Sequence, residues 1–452
     1  MVELPVVVVG AGPVGLAAAA ELVERGLEPL VLERGEQAGA AVAQWHHVRL
    51  FSRWAELVDP AARRLLEARG WTHPAHDEYP TGADWATRYL RPLAEALGDR
   101  VRFGAQVVGV ARRGRDRVVD AGRDSQPLTV HVRAASGEER ITARAVVDAS
   151  GTWGSPNPLG GDGFPAVGEA TAADRIVYRV PNLDDGVVRA RYAGRHVVVA
   201  GSGHSALTAL VALAGVAEEE PSTRITWLLR RGEVGAAFGG GDADQLPARG
   251  ALGSRAKAAV ESGRIEVVPG FRTEAVEHAT DGRLTLVSSD GHEVSGVDEV
   301  VVLTGFRPDL SWLSEVRLEL DATLQAPVAL APLIDPNVHS CGTVYPHGVT
   351  ELSHPEPNVF LVGMKSYGRA PTFLALTGYE QTRSIAAALA GDHAAAELVE
   401  LVLPETGVCG GGGLVDEPAR EGGSCAAPDD SSAGGSCGAP AEQPSPPLSA
   451  TR

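Results

Sequence analysis

The chain has 452 residues, enough for roughly two or three domains, and 44% hydrophobic with 22% charged residues excludes both a globally disordered chain and a membrane bundle. Forty Lys and Arg against 58 Asp and Glu leave a net charge of −18, which repels a phosphate backbone and argues against a nucleic-acid partner. The opening MVELPVVVVGAG has no basic leader, no apolar run approaches the roughly 18 residues of a spanning helix, and four scattered cysteines form no disulfide framework, so a soluble cytoplasmic protein with no membrane partner is expected.

Residues 4 to 33, LPVVVVGAGPVGLAAAAELVERGLEPLVLE, read as an apolar strand, a glycine turn, an Ala/Leu-rich helix and a second apolar strand ending in an acid: a βαβ unit. Gly10, Gly12, Pro13 and Gly15 make the turn that brings backbone and helix N-terminus to a pyrophosphate. Glu33, with Arg34 beside it, stands where an acid accepts the ribose hydroxyls of an adenosine. The loop QWHHVRLFSRW (44 to 54) follows with Trp45, Arg49 and Ser52. Helical spacing then covers 85 to 98, and strands are expected in 101–113, 128–135 and 141–151, the last ending in a small-residue turn at Ser150 and Gly151.

The same grammar returns over 194 to 231, where Gly201, Gly203, Ser205 and Ala206 lie in GSGHSA after the strand RHVVVA. Its second strand ends in Arg230 and Arg231 instead of an acid. Two guanidinium groups there suit a 2′-phosphate and favour NADPH, or form a solvated loop partly neutralised by Glu233. Strands are expected in 263–270, 283–289 and 297–310, and a closing helical segment in 384–404. The last segment, 405 to 452, is rich in Gly and Pro, reads as a disordered acidic tail, and carries Cys409, Cys425 and Cys437. His339, Cys341, His347, Glu351 and His354 precede the final strand. They could gather a thiophilic ion such as trivalent arsenic, or be ordinary packing and loop polarity; their spacing fits no standard zinc pattern, and no metal is expected.

Together RAVVDASGTWGSPNPLG (144–160) and NVFLVGMKSYGRAPTFLALTGYEQTRS (358–384) resemble the second and C-terminal motifs of flavoproteins with two dinucleotide-binding domains. That resemblance implies an α/β chain of two Rossmann-like domains: a discontinuous FAD domain (1–160 and 325–404), an NADPH domain (161–324) and the tail (405–452). It implies FAD on the first fingerprint, with Trp45, Ser150, Gly151, Gly363, Met364 and Thr372 completing its site. Met364 stands where many relatives have Asp. VVLTGFRPDL (301–310), with Thr304 and Gly305, resembles the motif by which class B flavin monooxygenases join the nicotinamide domain back to the flavin domain. The FxGxxxHxxxY/W fingerprint of that class is absent. The overall look is similar to actinobacterial flavoprotein monooxygenase-like proteins found with arsenic-resistance genes.

No CxxC or CxxxxC pair occurs, so a dithiol relay beside the flavin is not expected, and oxygen activation leads. The expected function is NADPH-dependent oxidation of a small substrate with O2, with Arg369 or Arg49 as the charge nearest the flavin. Alternatives are an NADPH-dependent reductase of a thiol or metalloid acting through Cys341 or the tail, and a flavin-carrying ion binder or redox sensor without turnover. A homodimer is one assembly open to such a chain.

Overall fold

The computed structural model describes residues 4–244, 246–338, 347–371 and 373–398. Cys341, Thr372, His339 and the tail with its three cysteines lie outside these residues. Val6–Val9 is four consecutive buried valines, a run that suits a parallel strand covered on both faces. It pairs in parallel with Pro29–Leu32 on one side and Ala145–Asp148 on the other. Val359–Leu361 and Val101–Arg102 complete the five-stranded sheet at its two edges. The motifs around 148 and 363 are thus delivered to the same sheet as the first fingerprint, from distant parts of the chain.

A second five-stranded parallel sheet runs in the order Glu266–Pro269, Arg224–Leu229, His196–Ala200, Glu299–Val302, Ile176–Val177. The helices Pro13–Glu24 and His204–Glu219 follow the central strands of the two sheets. Their inward faces are Ala-rich, and side chains this small let a helix lie close to its sheet. The chain is therefore an α/β protein with two Rossmann-like sheets. Two three-stranded antiparallel sheets are appended, Gln106–Arg112 with Leu128–Ala134 and Gly137–Ala143, and Thr273–His278 with Leu284–Ser288 and Glu293–Val297.

Four expected elements divide in the structure. The strand read over 101–113 is two: Val101–Arg102 at the edge of the parallel sheet and Gln106–Arg112 in an antiparallel one. The single strand read over 141–151 is two: Gly137–Ala143 closes an antiparallel sheet and Ala145–Asp148 enters the parallel one, with Arg144 between them donating its N–H to Pro5 O at 3.0 Å. The helix read over 85–98 starts at Gly82 and contains a π turn, Ala86–Leu90, before Arg91–Leu97. Pro92 explains it, because proline has no N–H for the carbonyl of Arg88, and the Trp71 indole donates to that carbonyl instead, at 2.9 Å. The closing segment read over 384–404 belongs to a helix that begins earlier, Ala375–Leu389, and breaks at Gly391, whose φ is +84°.

Two linkers carry the chain between the sheets and are paired with one another. Asn157 N–H donates to Gly305 O at 2.9 Å and Arg307 N–H to Ser155 O at 3.0 Å, with a bridge between Pro156 and Phe306. Glu356, just before the edge strand, is 1% exposed and accepts from Arg112 Nε and Arg123 Nη2, both at 2.6 Å. This buried triad fastens the first antiparallel sheet to the C-terminal segment.

Candidate functional site

At the first fingerprint each glycine has its own reason. Gly10 has φ +101°, and a Cβ there would stand 2.8 Å from Ala149 O; at Gly15 it would stand 2.0 Å from Gly10 O, so helix and strand touch backbone to backbone. Gly12 is different. It caps Pro13–Glu24 with nothing within 4 Å of a built Cβ, so the helix N-terminus, opened by Pro13 at its first turn, faces free space with no side chain over it. Glu33 is 8% exposed and its two oxygens accept from Ala11 N–H and Gly35 N–H, both at 2.7 Å. Those bonds fix the carboxylate and leave half of its lone-pair sites for another donor. Arg34 is exposed, and its guanidinium lies over Gly154.

The second strand-turn and the C-terminal segment meet beside this cradle. Ser150 donates N–H and Oγ–H to Asp148 Oδ1 at 3.0 and 2.6 Å, and Gly151 turns with φ +67°. Asp148, 0% exposed, pairs at 2.7 Å with Lys365, 1% exposed, whose ammonium also reaches Ser150 Oγ at 3.1 Å and lies over the Trp312 ring. Sequence reading missed this pair; an acid ending an apolar strand was the only signal. Gly363, with φ +67°, donates its N–H to Gln381 Oε1 at 2.8 Å. The Gln381 amide donates in turn to Ser366 Oγ and contacts His347 Nε2, both at 2.9 Å. Met364 remains exposed next to Gly363. The helix Ala375–Leu389 begins nearby with no side-chain cap.

The second cradle repeats the first. A Cβ at Gly201, φ +130°, would lie 2.3 Å from Leu303 O, whereas Gly203 has nothing within 4 Å and caps His204–Glu219. Ala206 is fully buried and Ser205 exposed. His204 is held down to about 4 by burial and by the nearby Arg249 cation, so its imidazole is neutral. Arg230 is exposed and Arg231 half-buried just beyond Arg224–Leu229. Both cradles combine an open, uncapped helix N-terminus with a glycine turn pressed against the neighbouring strand. That donor set fits the pyrophosphate of a dinucleotide.

Other expected residues have different surroundings. Trp45 packs on Gly82, where a Cβ would meet its ring at 2.7 Å, and against Trp85. Arg49 donates to Tyr79 O at 2.5 Å and is exposed. Arg369, also exposed, donates from Nε to Gln325 Oε1 at 2.8 Å. Thr304 donates to Asn157 O at 3.2 Å and Gly305 accepts from Asn157, so both knit the paired linkers. The His/Cys/Glu group does not assemble among the described residues: His347 is tied to the Gln381 network, Glu351 accepts from Gly348 N–H at 2.9 Å, and His354 Nδ1 accepts from Glu319 N–H at 3.3 Å, its pKa pushed down to about 4 by burial. No three potential metal ligands converge among the described residues, and no helix there is long and apolar enough to cross a membrane.

Residues 7–330 match the pyridine nucleotide-disulphide oxidoreductase family. An indole-3-pyruvate monooxygenase of Oryza sativa subsp. japonica is 32% identical over 203 residues, 44% of this chain and 43% of that protein, so the match spans less than half of the plant relative. A ferredoxin–NADP reductase of Ignicoccus hospitalis is 26% identical over 69% of this chain and 81% of its own length. Among solved structures, a bacillithiol disulfide reductase of Bacillus cereus superposes with TM-score 0.63 at 21% identity, covering 86% of this chain and 99% of that one. A flavin-containing monooxygenase of Stenotrophomonas maltophilia does so with TM-score 0.55 at 23% identity over 86% and 99%. With residues 7–330, more than half of its length, matched, the chain belongs to the pyridine nucleotide-disulphide oxidoreductase family.

Proposed function

We propose that the protein is an NADPH-dependent, FAD-containing monooxygenase that oxidises a small substrate with O2. One observation carries the reading: two dinucleotide cradles of matching build stand in a chain whose four cysteines, Cys341, Cys409, Cys425 and Cys437, include no CxxC or CxxxxC pair. An intramolecular dithiol–disulfide relay beside the flavin needs such a pair, and oxygen chemistry does not. Bound FAD would store two electrons and supply the reaction with O2.

The residues divide the rest of the work. Gly12 and the N-terminus of Pro13–Glu24 would receive the FAD pyrophosphate, and Glu33 the adenosine ribose, at its unused lone pairs. Ser150, Gly151, Gly363 and the Ala375 end of the following helix would line the flavin side. Gly203 with Ser205 would receive the NADPH pyrophosphate, and Arg230 with Arg231 its 2′-phosphate. Arg369, whose guanidinium donates to the neutral Gln325 side chain, would present a cation to developing negative charge.

The similarity to a ferredoxin–NADP reductase supports a second reading, transfer of electrons from NADPH to an acceptor without oxygen insertion. Oxygen uptake separates the two. Purified holoprotein with NADPH and a panel of thioethers, amines and trivalent arsenic should show substrate-dependent O2 consumption without matching hydrogen peroxide. Acceptor-dependent NADPH oxidation that proceeds equally well without O2 would replace the monooxygenase with the reductase.

A further inference from the structure

The loop from Gln44 to Phe51 belongs to the first half of the molecule by sequence, yet its side chains reach the second. Gln44 Oε1 is a shared acceptor, taking the Trp153 indole N–H at 3.0 Å and a guanidinium N–H of Arg179. Trp153 lies on the outgoing linker, and Arg179 just beyond Ile176–Val177 of the second sheet. The Arg179 guanidinium also lies over the Trp153 ring, 4.9 Å from its centroid, and Trp153 rests on Phe306 of the returning linker at 5.0 Å. Further along the loop, His47 faces the Val180–Pro181 backbone, and burial lowers its pKa. Phe51 then meets His204 edge to face at 5.2 Å and packs with the apolar core of the second sheet.

His204 is the first residue of the helix whose open N-terminus forms the second cradle. The loop therefore contacts the second half at two places: at the linkers, and at the first residue of the helix that opens the second cradle. It does so without filling the cradle, because the space beside Gly203 stays open. One carbonyl oxygen has two lone pairs, so Gln44 can hold an indole and a guanidinium together, and no apolar residue can replace it.

We propose that residues 44–51 are a latch between the two halves, with Gln44 and Phe51 as positioning residues that hold the second cradle at the angle required for hydride delivery to the flavin. The proposal rests on reading the second cradle as the nicotinamide site. Its physical basis is that transfer between two bound groups depends steeply on their separation, with a misplacement of about 1 Å costing on the order of a hundredfold. In the transfer, a hydride leaves the reduced nicotinamide with both electrons, the nicotinamide is oxidised, and the flavin is reduced.

The test uses flavin-loaded full-length protein and anaerobic stopped flow. Gln44→Ala and Phe51→Ala should slow flavin reduction by saturating NADPH about tenfold or more, while flavin content and reduction by dithionite stay at wild-type values. Gln44→Glu keeps an acceptor for both donors and should stay within about twofold of wild type. Arg179→Ala combined with Gln44→Ala should slow the step no further than either alone. Equal loss in the Ala and Glu variants, or no loss in either, would overturn the latch. If no nicotinamide nucleotide reduces the wild-type flavin, the nicotinamide reading falls and the latch is judged by amide exchange: Gln44→Ala should speed exchange at 179–185 and 203–207, and unchanged rates there would overturn it.

Discussion

Arg230 and Arg231 carry the most specific prediction available at the scale of single residues. A 2′-phosphate distinguishes NADPH from NADH, and two guanidinium groups beyond Leu229 can pair with it in a way a neutral side chain cannot. Changing both to Ala should raise KM for NADPH by about a hundredfold or more and leave KM for NADH within about threefold; equal effects on the two nucleotides would remove the 2′-phosphate assignment. Away from the cradles, Asp59 makes a pH prediction. Its carboxyl is 1% exposed, and burial together with the nearby Glu21 pushes its pKa from 3.8 up to about 8. The folded state then holds a proton that the unfolded chain has released, so this group's stabilisation is complete below its unfolded pKa and is lost as pH rises through about 8. Asp59→Asn keeps the acceptor for Ala62 N–H while removing the titration. Its Tm advantage over wild type should widen from about pH 6 to about pH 9, and a constant offset would contradict the shifted carboxyl.

The two fingerprints differ at the scale of the element, although they read alike as motifs. At the second, Ala206 fits fully buried between helix and strand; at the first, the matching Gly15 meets the Gly10 carbonyl too closely for any Cβ. Gly15→Ala should therefore cost roughly 1–3 kcal/mol in denaturant unfolding and lower the flavin-to-protein absorbance ratio. A variant with full flavin and unchanged stability would show that the helix can shift at no cost. The Arg112–Glu356–Arg123 triad is also an element-scale device. Glu356→Ala leaves two arginines buried without a counter-charge and should cost about 3–5 kcal/mol, measured by chemical denaturation. Runs such as Val6–Val9 and the glycine spacing were legible because strand and turn are local properties. The division at Arg144 was not, since apolar alternation continues through it and only the pairing partners change. Nor was the π turn before Pro92, whose stability depends on Trp71 arriving from another segment to take up the freed carbonyl.

The whole molecule was legible as two repeats of one plan, because the βαβ grammar occurs twice and the linking motifs keep their order. What joins the repeats was hidden. Gln44 and Arg179 are 135 positions apart and look like ordinary surface polarity until the fold brings them together, and so, at the first sheet, do Asp148 and Lys365. Trp45 and Arg49 were legible as an aromatic and a cation in a loop, but their contacts with Gly82 and the Tyr79 carbonyl could not be read from spacing. We propose that this two-cradle molecule takes electrons from NADPH and delivers them to oxygen in a controlled way. The most direct measurement reduces the holoprotein anaerobically with NADPH and mixes it with oxygenated buffer in a stopped-flow spectrophotometer. Full reduction is expected, followed by a long-lived absorbing species distinct from both reduced and oxidised flavin. Return to the oxidised spectrum in a single phase, with hydrogen peroxide released in equal amount, would contradict it.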